Sequence, residues 1–230
     1  MESAEIVGEC QSMNQTMEQQ IYKSERLAYW YFRLNGFLTT ENFVVHPDRG
    51  HLQRTDADIL AVRFSHRAEN LEHPMEDDPK VTECSTFANV IIAEIKTGQC
   101  NLNGPWSKPE ERNMQRVLKA IGCVPESAIN IACEELYEKG FWGDSMVTIR
   151  LFAIGEFKNN ELTIPLSQQL TWREIISFCI NRFKKYEREK SSVPQWTDDG
   201  SQLRKCSLKH NPELETRRLF GLKTDNGLHG

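Results

Sequence analysis

The 230-residue sequence lacks the features that place a chain in a membrane or in an oxidising compartment. No apolar run approaches the roughly 18–20 residues that a bilayer-spanning helix needs. The start, MESAEIVGEC, has neither the basic region nor the apolar stretch of a secretory signal. The seven cysteines are an odd number without a Cys-x-x-Cys pair, which favours reduced thiols over disulfides or a zinc site. We therefore expect a cytoplasmic protein with no membrane partner.

Several nucleotide and hydrolase motifs are also missing from the sequence. It contains no P-loop, no Gly-x-Gly-x-x-Gly fingerprint, no Gly-x-Ser-x-Gly elbow and no internal repeat. The net charge is −5, so the chain has no general excess of cations. Because phosphate neutralisation dominates the affinity of proteins that coat nucleic acid, this charge counts against a coating protein. An enzyme with a locally basic groove around bound cations remains compatible with it.

The length and composition indicate one large domain, or one domain with additions. A chain of this length can bury a substantial core, and 39% hydrophobic with 27% charged residues is ordinary for a soluble protein. We predict a single domain over 12–190 that includes a helical C-terminal addition. From residue 191 the sequence is polar and contains Gly and Pro, which predicts a polar tail over 191–230 with little core of its own.

Residues 89–97, NVIIAEIKT, are the most informative stretch. Val90 to Ala93 is an unbroken apolar run, which is typical of a strand covered on both faces. Glu94 and Lys96 interrupt it and lie on one face of the strand, about 6.5–7 Å apart. A carboxylate and a cation at the end of a buried strand are unfavourable unless they are paired or used. These residues alone are compatible with a structural ion pair as well as with a functional site.

A second apolar strand, predicted over 56–64, begins with the carboxylates Asp56 and Asp58. An Asp that leads one central strand, followed by Glu-x-Lys near the end of the next, resembles the PD-(D/E)xK phosphodiesterase superfamily. Many restriction endonucleases, Holliday-junction resolvases and repair nucleases have this fold. The matching residues are Asp58 and the triplet Glu94-Ile95-Lys96, and Ala57 stands where the family usually has Pro.

The resemblance implies an α/β fold with a restriction-endonuclease-like three-layer core, in which helices flank a central mixed sheet. It also implies a Mg²⁺ or Mn²⁺ site formed by Asp58, Glu94 and the backbone carbonyl of Ile95. Such hard cations take oxygen ligands and keep several waters. The bound cation polarises a phosphoryl oxygen and lowers the pKa of a bound water. Lys96 would orient that water or stabilise negative charge in the transition state.

The first helix is predicted over 12–35. Ser12 and Gln15 have the spacing of a capping box, and Gly36 suits the residue after the helix. Glu25 lies on or beside the apolar stripe of this helix. In many family members the first helix supplies a Glu to the metal site, and Glu25 is the matching residue. The alternative is a flanking carboxylate that pairs with a neighbouring Lys or Arg.

Two further residues are secondary candidates for the site. Asp56 shares a strand face with Asp58 but comes two residues earlier, so we expect it outside the immediate metal shell. Gln115 borders the core face of a later helix, where some family members have a Gln or Lys near the site. The remaining predicted elements are strands over 42–46, 145–154 and 161–164, a helix that starts at a capping box over 107–110, a helix over 127–139, and a helix that starts at a capping box over 171–174.

Four residues are candidates for contact with nucleic acid. Trp106 follows a turn-rich loop that leaves the site, where it could stack on a base or simply cover the core. Lys184, Lys185 and Arg188 make one helix end basic. Cations at a helix C-terminus suit the helix dipole, so these side chains form either a solvated face or a patch that contacts phosphates.

Three interpretations follow from the sequence. The first is a Mg²⁺-dependent nuclease that hydrolyses nucleic acid, DNA rather than RNA. The second is the same fold without catalysis, acting in binding or assembly. The third is an unrelated α/β protein in which Glu94 and Lys96 form an ion pair. A homodimer or a partner protein is compatible with all three.

Overall fold

The computed structural model describes residues 21–46, 55–84, 86–192 and 197–224. Within these ranges a six-stranded mixed sheet has helices on both faces, so the predicted α/β fold with a central mixed sheet flanked by helices is confirmed. The elements are α1 (Ser24–Leu34), β1 (Leu38–Val45), β2 (Thr55–Phe64), α2 (Pro79–Thr82), β3 (Ala88–Ile95), α3 (Asn113–Ile121), α4 (Ile129–Lys139), β4 (Phe141–Gly143), β5 (Val147–Gly155), β6 (Gln169–Thr171), α5 (Trp172–Lys185), α6 (Glu187–Ser191), α7 (Asp198–Ser207) and α8 (Pro212–Leu219).

The strand order is β1-β2-β3-β5-β4, and β6 pairs with β5. β1, β2 and β3 form antiparallel pairs, whereas β3 and β5 run parallel and are joined by the crossover through α3 and α4. β3 is therefore a central strand, and it is buried from Asn89 to Ile95. Its apolar run is covered on both faces, as the sequence predicts.

Two layers of helices produce this burial. α1, α5, α7 and α8 pack on one face of the sheet in a core that includes Ile91, Ala93 and Phe152. α3 and α4 pack on the other face against Val90 and Ile92. None of the helices in the described ranges combines the length and the apolarity that a bilayer span requires.

The first helix is shorter at its start than predicted. Lys23 has extended backbone angles, and α1 begins at Ser24. The backbone N–H of Tyr22 donates to the carbonyl of Leu219 at 2.8 Å, so the segment before α1 bonds to the end of α8 instead of continuing the helix. The proposed Ser12–Gln15 capping box lies outside the described residues. The predicted stop is confirmed, because Gly36 has a φ of 78°, a conformation that favours glycine.

Two other local predictions are wrong. Residues 161–164 form no strand, because the loop is held by the Gln169 side chain, which bonds the backbone of Asn159 and Ile164. The third helix does not start at 107–110, because Arg112 has a φ of 54° and separates a 3₁₀ turn from α3. The capping box at 171–174 is confirmed, with both Thr171 and Glu174 bonded to the opposite backbone group. The predicted 42–46 strand is longer and begins at Leu38.

The C-terminal region is not a polar tail over its described part. Leu203, Leu219 and Phe220 are each at most 3% exposed and belong to the same core as α1 and α5. Leu203 and Cys206 of α7 and Leu219 of α8 belong to that core, although most of the other residues of the two helices are polar. The boundary predicted at residue 190 therefore does not separate a folded domain from a tail.

Candidate active site

The site lies where β2 and β3 separate. The last paired residues are Ile59 and Ala93, and the next residues along the two strands are Asp58 and Glu94. At this point the N–H of Ile95 donates to a side chain and not to a backbone carbonyl of β2. Its acceptor is Asp58 Oδ2, at 2.7 Å. The Asp58 side chain therefore satisfies a backbone donor that the end of the ladder leaves open.

Glu94 is held by two hydrogen-bond donors, one at each carboxylate oxygen. The residue is 2% exposed, so its carboxylate needs partners inside the protein. The Lys96 ammonium contacts Oε1 at 2.5 Å, and the indole Nε1–H of Trp106 donates to Oε2 at 2.8 Å. Both carboxylate oxygens are thus engaged, and the plane of the group is set.

The backbone of the Glu94-Ile95-Lys96 triplet is also anchored. The Lys96 N–H donates to the carbonyl of Ile154 at 2.9 Å, and its own carbonyl accepts from Nε1 of the buried Trp172 at 3.0 Å. In a strand, the N–H and C=O of one residue point to the same side. Because the Ile95 N–H points to Asp58, the carbonyl of Ile95 faces the same side.

Burial raises the pKa of the Asp58 carboxyl. The hydrogen bond from Ile95 and the positive charge of Lys96 oppose this rise, and the negative charges of Glu25 and Asp56 add to it. Both of these predicted site residues therefore lie close enough to act on Asp58 electrostatically.

Burial also raises the pKa of Glu94, and the charge of Asp58 adds to the rise. The bonds from Lys96 and Trp106 act in the opposite direction. Because the charge of Asp58 raises the pKa of Glu94, added positive charge beside these two carboxylates is favourable.

Glu25 lies in the first turn of α1 and is half-buried. It accepts a bond from the Ser24 hydroxyl at 3.2 Å. Among the described residues it forms no salt bridge, and its neighbour Arg26 pairs with Glu41 and Asp199 instead. The alternative of a simple ion pair with a neighbouring cation is therefore not what this structure contains.

The described residues include no group of three or more His, Cys, Asp and Glu side chains arranged to hold a metal ion. Glu25 thus does not join Asp58 and Glu94 in a three-carboxylate cluster. The smaller donor set of Asp58, Glu94 and the Ile95 carbonyl consists only of hard oxygens. Mg²⁺ commonly binds through one or two carboxylates and keeps several waters, so this set fits Mg²⁺ or Mn²⁺ and does not suit a thiophilic metal.

Trp106 does not offer a surface for base stacking. Its side chain is buried at 2% exposure and packs in the core on the α3–α4 face of the sheet. The prediction that it stacks on a nucleic-acid base is wrong for this geometry, since a base needs an exposed ring face. Because Trp106 bonds Glu94 from within this core, it lies on the interior side of the site.

The other predicted residues lie away from Asp58 and Glu94. Gln115 lines a cavity of about 510 Å³ between α3 and α4, and no hydrogen bond found in the described ranges joins it to the two carboxylates. Lys184 lies about 18 Å along α5 from Trp172, at the 1.5 Å rise per residue of a helix. Lys184 and Arg188 are exposed, and Lys185 pairs with Glu76 at 2.7 Å.

Sequence reasoning missed two residues of this region. Asn42 has a φ of 49°, and the β1–β2 pairing skips from Glu41 to Phe43 opposite Asp58. An Asn inside a run of strand-forming residues is the signal that could have identified it, because Asn tolerates this conformation. Trp172 is distant from Lys96 in the sequence but bonds its backbone carbonyl, and no local sequence pattern predicts that contact.

Asp58, Glu94 and Lys96 come together where β2 and β3 separate, which is the arrangement that the resemblance implies. Comparison of the chain with protein-family models, curated proteins and solved structures found no match. Assignment to a family is therefore a proposal that depends on these residues and their geometry.

Proposed function

We propose that the protein is a divalent-metal-dependent nuclease of the PD-(D/E)xK type, with a restriction-endonuclease-like fold, that hydrolyses phosphodiester bonds of DNA rather than RNA in the cytoplasm. One observation carries the proposal: the Asp58 carboxylate, held by the N–H of Ile95, lies beside the Glu94–Lys96 pair where β2 and β3 part. An ion pair that served only packing would not require a second carboxylate at this point.

The donor set for the cation is Asp58, Glu94 and the Ile95 carbonyl. When bound, Mg²⁺ or Mn²⁺ supplies a Lewis acid that polarises a phosphoryl oxygen and lowers the pKa of a bound water. Asp58 and Glu94 provide carboxylate oxygens from adjacent strands, which are paired up to Ile59 and Ala93. Their raised pKa values support cation binding, because a divalent charge stabilises both ionised carboxylates.

Lys96 is the group that faces the substrate. Its side chain is 29% exposed while Glu94 is buried, so the ammonium lies between the carboxylate and solvent. A protonated Lys has three donors and no lone pair, so it cannot be a metal ligand. It can donate to a scissile phosphate or to the attacking water and stabilise developing negative charge.

Incubation with nucleic acid tests the proposal. Purified protein should cleave single- or double-stranded DNA with Mg²⁺ or Mn²⁺, and EDTA should stop the reaction. Asp58→Asn and Glu94→Gln should abolish cleavage and weaken metal binding. Lys96→Met should reduce cleavage by about 100-fold or more while metal binding is retained. Glu161→Gln, an exposed carboxylate in a distant loop, is the matched control and should cleave normally. Absence of metal-dependent cleavage on every DNA and RNA substrate would contradict the proposal.

A second candidate is a nuclease-fold module without catalysis that acts in binding or assembly. The observation in its favour is that both oxygens of Glu94 already have protein partners, Lys96 and Trp106. This candidate predicts no cleavage and no metal-dependent rise in melting temperature. A loss of stability in Lys96→Met that metal does not alter would support it.

A further inference from the structure

Hydrogen bonds of the turn that carries Trp106 fix its position on the interior side of the site. It ends the 3₁₀ turn Gly104–Trp106, and its backbone N–H donates to the carbonyl of Asn103 at 2.9 Å. The hydroxyl of Tyr137 in α4 donates to the preceding carbonyl of Pro105 at 3.4 Å. The turn is therefore tied to the helix layer that covers this face of the sheet.

The indole ring of Trp106 has one hydrogen-bond donor, and that donor bonds to Glu94. Trp106 is 2% exposed and packs in the same core as Met114 and Val117 of α3. Indole has a single N–H donor and no acceptor, and a buried donor without a partner costs about 1–3 kcal/mol. Its partner is Glu94 Oε2, while Lys96 contacts the other oxygen.

We propose that Trp106 is a positioning residue of the site, an inference that rests on the proposed nuclease function. The fixed indole N–H holds Glu94 Oε2 against the core, so Oε1 is the oxygen that faces Lys96. Glu94 then presents the same oxygen in every molecule without reorganisation. Hydrogen-bond partners behind a ligating group typically change metal affinity or activity by about 10–100-fold when they are removed.

Trp30 is a matched control in the opposite helix layer. It is 3% exposed, and its Nε1–H donates to the buried Asp199 at 2.9 Å. Replacing Trp30 by Phe therefore removes the same ring atoms and the same kind of hydrogen bond. It does so in the core formed by α1, α5, α7 and α8, away from Glu94.

The experiment compares Trp106→Phe and Trp30→Phe with the wild-type protein. The measured quantities are the Mg²⁺ concentration for half-maximal DNA cleavage, the KM for DNA and the melting temperature. Trp106→Phe should need about tenfold more Mg²⁺ or show a tenfold lower rate at saturating Mg²⁺, with KM unchanged. Trp30→Phe should lower the melting temperature but keep the wild-type Mg²⁺ dependence.

The outcomes separate this inference from the proposed function. If the wild type cleaves and Trp106→Phe keeps its Mg²⁺ dependence and rate, Trp106 has no positioning role and the nuclease proposal stands. Equal losses in the two variants overturn the inference as well, because they reflect general destabilisation. A wild type that shows no metal-dependent cleavage overturns both.

A measurement on the wild type covers the case in which Trp106→Phe does not fold. The indole ¹H–¹⁵N resonances of Trp106 and Trp30 are assigned by triple-resonance spectroscopy and followed during addition of Mg²⁺. The Trp106 resonance should shift because its acceptor is at the metal site, and the Trp30 resonance should remain in place. A Trp106 resonance that does not move at saturating Mg²⁺ overturns the inference.

Discussion

At the scale of single residues, Asp58 and Glu94 are coupled by charge. Each carboxyl has a raised pKa, mainly because burial disfavours its ionised form, and the charge of Asp58 adds to the effect on Glu94. Lys96 compensates one of the two charges directly. The pair thus retains an excess of negative charge, which opposes folding in the absence of a cation and favours binding of one.

Removing the charge of Asp58 should remove this unfavourable contribution to the stability of the metal-free protein. Asp58→Asn keeps the size of the side chain and an oxygen that can accept from Ile95, but it removes the repulsion with Glu94. We expect the metal-free variant to have an unfolding free energy equal to or above that of the wild type. At roughly tenfold excess of Mg²⁺ over Kd, the wild type should gain about 1.4 kcal/mol and the variant much less.

Melting temperatures with and without Mg²⁺ or Mn²⁺ check this expectation, with Glu94→Gln measured in parallel. Equal metal-dependent shifts in all three proteins would contradict a shared site. A large loss of stability in metal-free Asp58→Asn would show that its bond to Ile95, and not repulsion, is the dominant contribution.

At the scale of elements, the start of α5 anchors the site edge. Trp172, its first residue, bonds the carbonyl of Lys96. The capping box fixes where the helix begins, because Glu174 accepts from the N–H and the hydroxyl of Thr171 at 2.7 and 2.9 Å. Lys80 contacts the same carboxylate at 2.6 Å and joins α2 to this point. The cap therefore sets the position of the Trp172 ring below Lys96.

The Glu174 cap should make stability depend on pH. Burial opposes ionisation, but the bonds from Lys80 and Thr171 outweigh it and lower the pKa of Glu174 to about 2. The pKa of a Glu in an unfolded chain is about 4.3. The stabilisation by the ionised Glu174 is therefore fully present above that pH and is lost as the pH falls toward 2. Since the side chain is 27% exposed, solvent screening limits the effect to about 1–2 kcal/mol.

Glu174→Gln should therefore be less stable than wild type at pH 7 and approach it near pH 2, because Gln keeps an oxygen for Thr171 but no charge. Denaturant unfolding across this pH range measures the difference, with the exposed Glu187→Gln as control. A difference from wild type that does not change with pH would contradict a charge-based contribution of the cap.

At the scale of the whole molecule, the C-terminal helices pack against the sheet, and α8 bonds to the residue that follows β5. Both guanidinium Nη atoms of Arg217 in α8 donate to Glu156, each at 3.0 Å, and Glu156 directly follows β5. Phe220, 1% exposed, completes the core beside α1. The strand that neighbours β3 is thus bonded to residues near the end of the chain.

Phe220→Ala should cost about 3–5 kcal/mol of unfolding free energy, as for other buried aromatic side chains. Leu208→Ala is the control from the same region, because Leu208 is 38% exposed and its loss should cost about 1 kcal/mol or less. Chemical denaturation of the full chain measures both. If the two substitutions had equally small effects, the C-terminal region would behave as a tail and not as part of the core.

Features that depend on local pattern can be predicted from the order of the residues alone. The apolar run of β3 predicts a strand covered on both faces because only such a strand can bury every side chain. The spacing of Glu94 and Lys96 places them on one face, and the 171–174 pattern specifies a capping box, because both relations involve residues within one turn or two strand positions. That Asp58 and Glu94 meet is instead what the resemblance to a known family implies, because the residues alone are also compatible with a simple Glu94–Lys96 ion pair.

The surroundings of those residues depend on how the elements pack in three dimensions. The bonds of Trp106 to Glu94 and of Trp172 to Lys96 depend on how a loop and a distant helix pack against the sheet. The same is true of Leu219 in α8, which lies in the core shared with α1 and α5 although the sequence around it is polar. Such contacts come from the register of strands and the packing of layers, which join residues far apart in the chain and leave no periodic signal in the sequence.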